Sequence, residues 1–271
     1  MSTPPIDPKS SARAFYAVQL RRVRTTAKMT QPQVGGLPEV MVSGKLIGHV
    51  ENCYRLPSLR LSKGLDRAFG YEEFFESMYT AVMRESGLPA GFWEYIELEA
   101  LANMIRMYDN FLVNGLLQTP DYAREVLRAG QKDDKLEELI KTRLARQEIL
   151  RREDPPWLVA LLDESVVRRT VGDRAVMKEQ LEHLLRLAQE PNITIHIVPD
   201  GAPVYPEGAF HILGFRNEPD VGYVESAGGW GRVIERSEEV SEFGVLYEMI
   251  RSVALPAAGS ERFIRTVLEG L

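Results

Sequence analysis

Residues 30–51 read TQPQVGGLPEVMVSGKLIGHVE and predict two short helices joined by a glycine-containing turn. Thr30 is placed to cap the first helix, with Pro32 in its first turn, where a missing N–H costs little. The glycine pair at 35–36 ends that helix, and Ser43 is placed to cap the second. A glycine turn between two closely packed helices is typical of a helix-turn-helix.

The second predicted helix has the two faces that an element needs in order to enter the major groove of DNA. Its inner side is apolar, while its first turn carries small or polar side chains that reach base edges or phosphates. Lys45 can donate to guanine or to phosphate, and both roles stay open. The predicted DNA-binding residues are Thr30, Gln31, Ser43, Gly44, Lys45, His49, Arg55, Arg21 and Arg22.

Charge is distributed unevenly along the chain, whose net charge is -6 over 271 residues. Residues 10–70 hold ten Lys and Arg against three Asp and Glu, whereas residues 71–271 are acidic. This asymmetry favours a basic module that meets a polyanion, joined to an acidic body with another role. The alternative is chance clustering of solvated charge.

Composition excludes several classes of protein. With 44% hydrophobic and 27% charged residues, the chain has an ordinary globular composition, and no apolar run is long enough to span a bilayer. Cys53 is the single cysteine, which rules out an intramolecular disulfide and a multi-cysteine zinc site. The N-terminus lacks an apolar signal core, so a cytoplasmic protein is expected, associated with the nucleoid when bound to DNA.

Breaks in composition and periodicity predict a multidomain chain. Residues 1–11 are expected to be a flexible leader, 12–70 an all-α helix-turn-helix domain that binds DNA, and 71–91 a connecting helix and linker. The sequence SGLPAG at 86–91 marks the boundary. Residues 92–271 are expected to form an α+β regulatory or partner-binding domain.

Within residues 92–271 the pattern predicts helices first, followed by a small, mostly antiparallel sheet covered by helices. Helical spacing is read over residues 96–107. The predicted strands are WLVALLDE (157–164), NITIHIVP (192–199), GAFHILGF (208–215), VGYVES (221–226) and a short strand at 232–234.

The N-terminal segment resembles an Xre-type helix-turn-helix. The matching residues are Thr30, Gln31, Val34, Gly35, Val42, Ser43, Ile47, Val50, Glu51, Arg55 and Pro57. Its turn is about two residues longer than usual, and 52–54 (NCY) replaces the common exit sequence. The resemblance implies a sequence-specific transcriptional regulator that binds double-stranded DNA.

The remainder resembles the WhiJ-like, antitoxin-like domain that accompanies this element in many actinobacterial regulators. The resemblance lies in LVNGLLQTP (112–120), RLARQEILRREDPP (143–156) and PNITIHIVP (191–199). Asn114 stands where that domain usually has proline. The resemblance implies a small partner protein encoded nearby and a homodimer, and in several relatives a role in development or antibiotic production. It implies no cofactor.

No residue pattern indicates an enzyme, and a catalytic site between the sheet and its helices is the weaker alternative. His196 and His211 could face each other on neighbouring strands, as a metal or general-base pair or as structural residues. The pair Asp163-Glu164 resembles a catalytic placement but favours a helix cap. The glycine loop at 227–231 favours a strand turn over a phosphate site. An antitoxin-like interaction module with secondary DNA binding and a small-molecule-sensing regulator are the alternative functions.

Overall fold

The computed structural model describes residues 6–86, 92–129, 133–226 and 230–271. They divide into an N-terminal unit that extends to Glu97 and also takes in residues 230–231, and a C-terminal unit that comprises the described residues from Leu98 to Ser226 and from Arg232 to Leu271. Residues 1–5 of the predicted leader, residues 87–91 of the predicted linker and residues 227–229 of the glycine loop lie outside the described residues. Within the described ranges, no helix has both the length and the apolarity to cross a membrane.

The N-terminal unit is helical, as predicted. Each of its first four helices begins after a serine or threonine whose side-chain oxygen accepts a backbone N–H, which satisfies one of the orphan donors at the helix start. The helices are α1 (Ala12–Thr26), α2 (Gln31–Gly35), α3 (Gly44–Glu51), α4 (Leu59–Phe69), α5 (Phe74–Ser86) and α6 (Phe92–Glu99).

Helix α5, which the sequence analysis describes as a connecting helix, is part of the core of the N-terminal unit. Phe75 and Tyr79 are buried in the same cluster as Leu20 of α1 and Leu65 of α4. The buried carboxylate of Asp66 accepts the backbone N–H groups of Phe75 and Glu76 at 2.9 and 3.0 Å. Gly70 ends α4 in a left-handed conformation, which favoured a boundary there, whereas the apolar core continues into α5.

The C-terminal unit is α+β, as predicted. Its strands are β1 (Met104–Asp109), β2 (Trp157–Asp163), β3 (Ile193–Val198), β4 (Phe210–Gly214), β5 (Val221–Ser226) and β6 (Trp230–Ile234). Its further helices are α7 (Pro120–Arg128), α8 (Asp133–Arg146), α9 (Glu164–Arg168), α10 (Arg174–Leu187), α11 (Ser237–Val253) and α12 (Ala257–Glu269).

The sheet is six-stranded and mixed, rather than small and mostly antiparallel. Its strand order is β3-β2-β1-β4-β5-β6. The strands β1, β2 and β3 run parallel, because helical crossovers return the chain to the same end after β1 and β2. The strands β4 and β5 add to β1 as antiparallel neighbours.

Strand β1 was predicted to be helical. Met104 and Met107 are three residues apart, which fits a helix as well as a short strand. In the structure Ile105 and Met107 are both buried, and Met107 lies between Ala160 of β2 and His211 of β4. The central strand of the sheet is therefore the one that the local pattern did not reveal.

Candidate nucleic-acid interface

Helices α2 and α3 both begin with a complete side-chain cap. Gln33 Nα donates to Thr30 Oγ1 at 3.4 Å, while the Thr30 N–H donates to Gln33 Oε1 at 2.8 Å, which is a reciprocal capping box. Ser43 Oγ accepts the Leu46 N–H at 3.2 Å. The two cap residues are exposed. Because each hydroxyl accepts in its cap, its own O–H stays free to donate to an outside acceptor.

Two glycines allow α2 and α3 to approach closely. A Cβ on Gly35 would lie 2.3 Å from the backbone oxygen of Val42, and one on Gly44 would lie 2.7 Å from Cα of Pro32. A side chain would clash at either position, so glycine is needed at both for the two helices to pack closely. Gly44, which was predicted to contact DNA, is thus placed against α2.

A buried carboxylate joins the first three helices. The Glu51 side chain is fully buried, and its oxygens accept from Arg24 Nε at 2.5 Å, Arg24 Nη2 at 2.9 Å and Gln31 Nε2 at 2.9 Å. The hydrogen bonds that Arg24 donates to Glu51 raise the pKa of Arg24 above its usual value. The amide of Gln31, a predicted DNA contact, is therefore engaged inside the protein.

Two of the predicted phosphate contacts also have internal partners. Arg21 Nη2 donates to the Glu51 carbonyl oxygen and to Asn52 Oδ1, both at 2.9 Å. Arg55 Nε lies 3.5 Å from Glu97 Oε1. Burial raises the pKa of Glu97, and the charge of Arg55 partly opposes that shift. Sequence reasoning missed these pairs because their members lie far apart along the chain.

The outward side of α3 carries the remaining predicted residues. Lys45 is exposed in its first turn, and His49 lies one turn later, half-buried, with its ring edge-on to Tyr54 at a centroid separation of 6.2 Å. Tyr54 is 68% exposed. On α1, Arg22 is exposed. Within the described ranges, Lys45 and Arg22 make no side-chain hydrogen bond or ion pair. Of the predicted DNA-binding residues, Thr30, Ser43, Lys45 and Arg22 thus have exposed polar groups free to meet a ligand, and His49 lies beside them with its ring partly exposed.

The two histidines that could have formed a pair lie apart in the sheet. His196 on β3 and His211 on β4 are separated by β2 and β1, so they do not face each other. His196 Nδ1 lies 2.9 Å from the Leu255 carbonyl oxygen, and His211 Nε2 lies 3.4 Å from Asp109 Oδ1. Within the parts of the chain that the structure describes, no group of three or more His, Cys, Asp or Glu could hold a metal.

The predicted helix cap after β2 is confirmed. Asp163 Oδ1 accepts the Ser165 N–H at 2.9 Å at the start of α9. Cys53 is half-buried at the exit of α3, and burial raises the pKa of its thiol. A raised thiol pKa lowers the fraction of reactive thiolate, which favours a structural role for this cysteine.

Comparison with known proteins gives one family. A family model described as a domain of unknown function, DUF5753, matches residues 92–266. No curated protein matches the chain, and no solved structure matches it. The match begins with α6 and ends within α12, and it covers more than half of the chain. On this basis the chain belongs to the DUF5753 family.

Proposed function

We propose that the N-terminal unit is a helix-turn-helix that binds double-stranded DNA, and that the whole chain is a sequence-specific transcriptional regulator. The observation that carries the proposal is that α3 is fixed on its inner side and exposed at its first turn. Its inner side is fixed to α1 and α2 through Glu51, while Ser43 and Lys45 are exposed at its first turn. A rigid scaffold beneath an exposed polar helix start is what major-groove readout requires.

Electrostatics supports the same assignment. The described residues of α1–α4 and their connections carry exposed cations on a locally basic segment, and basic surface attracts the phosphate backbone before any base is read. The exposed cations of this segment are Arg22, Lys28, Lys45, Arg60 and Arg67. The acidic composition of the rest of the chain opposes DNA contact elsewhere, which would confine binding to the N-terminal unit.

The proposed contacts divide into two classes. The hydroxyls of Thr30 and Ser43 stand at helix starts, where backbone N–H groups also suit phosphate oxygens, so these residues are assigned to positioning. Lys45 and His49 lie one turn apart on α3 and are assigned to base edges, with Lys45 donating to guanine O6 or N7. Arg22 is assigned to phosphate.

The test is a gel shift of the full chain on its own upstream DNA with unrelated competitor DNA. Lys45→Ala is compared with Lys178→Ala, which removes the same charge from an exposed position on α10. We expect a specific shift that Lys45→Ala weakens roughly tenfold and Lys178→Ala leaves unchanged, as the loss of one good base contact predicts. Absence of a specific shift from well-folded protein would instead favour the interaction-module alternative.

We also infer that the C-terminal unit forms a homodimer through α11. Val245 and Met249, one turn apart on this helix, are 62% and 54% exposed and line a groove of about 830 Å³. Exposed apolar side chains along a groove are typical of protein interfaces. A dimer would present two α3 helices about 34 Å apart to a near-palindromic site.

Sedimentation of the full chain at micromolar concentration tests the dimer. Val245→Glu should lower the dimer fraction because it places a charge in the apolar contact. The control is Tyr205→Glu, which alters an exposed loop residue. A wild-type chain that sediments as a monomer would exclude this part of the proposal.

A further inference from the structure

The C-terminal unit contains a cavity of about 450 Å³ beside the start of β3. This volume lies within the range of small-molecule sites, roughly 300–1,000 Å³. The cavity is formed where the 3₁₀ turn Gln147–Leu150 meets the last turns of α10. Its charged and titratable lining residues are Arg151, His183, Arg186 and Glu190.

One part of the cavity is apolar. Leu116, Leu150 and Ile193 are buried, and Leu187 is half-buried beside them. The Gln147 amide is fixed by donating to the carbonyl oxygens of Gly115 and Gln118 at 3.0 and 2.8 Å. The apolar floor therefore has a defined shape, which suits a compact hydrocarbon or aromatic group.

The other part of the cavity carries uncompensated positive charge. Arg151 and Arg186 are exposed and, among the described residues, make no side-chain hydrogen bond or ion pair. His183 is half-buried on α10, three residues before Arg186. Burial, followed by the charges of Arg186 and Arg151, lowers the pKa of His183 to about 4. At neutral pH the ring is therefore neutral and has one N–H to donate.

We propose that this cavity binds a small molecule in which one anionic group, a carboxylate or a phosphate, is joined to a compact apolar body. The two guanidinium groups would pair with the anion, since arginine suits both carboxylate and phosphate oxygens. His183 would donate its N–H, and the leucine and isoleucine floor would take the apolar body. Glu190 is the acidic residue among the lining side chains, and its charge disfavours a second anionic group. The proposal does not depend on DNA binding.

Calorimetry on the full chain with three probes tests the proposal. Phenylacetate and phenyl phosphate carry the two anionic groups on one apolar ring, and 2-phenylethanol is the neutral control. We expect at least one anionic probe to bind and phenylethanol to bind more weakly by tenfold or more. The tighter of the two anions identifies the head group. Equal binding of phenylethanol, or binding of neither anion by natively folded protein, would overturn the proposal.

Variants locate the binding within the protein. Arg151→Gln and Arg186→Gln should each weaken the anionic probe roughly tenfold, since each removes one charged hydrogen-bonding group. Glu190→Gln should strengthen it, because a repulsive charge is lost. Arg174→Gln, an exposed arginine at the start of the same helix, is the matched control. A loss of binding in Arg174→Gln equal to that in Arg186→Gln would place the anion elsewhere.

The pKa of His183, measured with and without the probe, distinguishes direct anion binding from a purely structural role of the two arginines. A bound anion stabilises the imidazolium form, so the probe should raise the pKa of His183, measured from its ring resonances. Phenylethanol should leave that pKa unchanged. An anionic probe that binds without moving the His183 titration would contradict the assigned site.

Discussion

Arg24 binds both carboxylate oxygens of Glu51, through Nε at 2.5 Å and Nη2 at 2.9 Å. The Glu51 side chain is fully buried, while that of Arg24 is 15% exposed. A bidentate pair of this kind fixes the angle between two helices as well as their separation. The Arg24–Glu51 pair, with Gln31 as its third member, therefore helps to set the orientation of α3 on α1.

Removing the arginine should leave a buried carboxylate with too little compensation. We expect Arg24→Ala to lower the free energy of unfolding of the N-terminal unit by about 3 kcal/mol. The Glu51 carboxylate would stay buried without its charged partner, and its desolvation penalty would no longer be offset. Urea unfolding followed by circular dichroism measures this. Arg22→Ala, two residues away and exposed, should change the stability by less than about 0.5 kcal/mol. Equal effects of the two variants would show that the pair does not hold α3.

The close contact at Gly35 predicts a steric cost. Gly35→Ala would place a Cβ 2.3 Å from the Val42 carbonyl oxygen, which is backbone and cannot rotate away. We expect a loss of about 2 kcal/mol, as for other overpacked sites, together with a weaker DNA shift because α3 moves. Gly208→Ala, where nothing lies within 4 Å of the added carbon, is the control. Thermal melts that do not separate the two variants would contradict the packing argument.

The assignment of Arg22 to phosphate predicts a change in salt dependence. Each phosphate contact contributes about one unit to the slope of log affinity against log salt concentration. We expect Arg22→Ala to flatten that slope by about 1 and to weaken specific and unrelated DNA alike. Lys178→Ala should leave the slope unchanged. A loss confined to the specific site would instead assign Arg22 to a base.

The lowered pKa of His183 predicts a pH dependence of stability. The unfolded histidine titrates near pH 6.5, and the folded one near pH 4. Between these values the unfolded state binds the proton and the folded state does not, so stability falls as pH falls through this window. Urea midpoints measured from pH 7 to pH 4.5 should therefore fall less in His183→Gln than in the wild type. Parallel curves would show that His183 does not titrate differently on folding.

The helices of the N-terminal unit could be predicted because their signals are local. Caps such as Thr30 and Ser43 stand next to the helices that they start, and their hydroxyls accept the expected N–H groups. The partners of Arg21, Gln31 and Arg55 could not be predicted in this way. They lie 20 or more residues away in the sequence, and no local pattern indicates whether a polar side chain turns outward or inward.

The sheet shows the same limit. The strands β2 to β5 were predicted from alternating or continuous apolar runs. Whether two strands run parallel or antiparallel depends instead on the helices and loops that connect them. The sequence MIRMYD fits a strand or a helix end, and only its pairing with both β2 and β4 fixes it as β1. The cavity residues Arg151, His183 and Arg186 carried no motif, because they come from two helical segments that meet only in the folded unit.

The central position of β1 has a consequence for the order of folding. Met107 pairs with Ala160 and with His211, so the middle of the sheet cannot close until the chain beyond β4 has been synthesised. The contacts of α1 with α3 and α5, including the pair Arg24–Glu51 between α1 and α3, lie within the first 86 residues. Local helical contacts form faster than distant strand pairs, and domains fold from the N-terminus during synthesis. The N-terminal unit is therefore expected to be folded on the ribosome while the sheet of the C-terminal unit is still an open, unpaired chain.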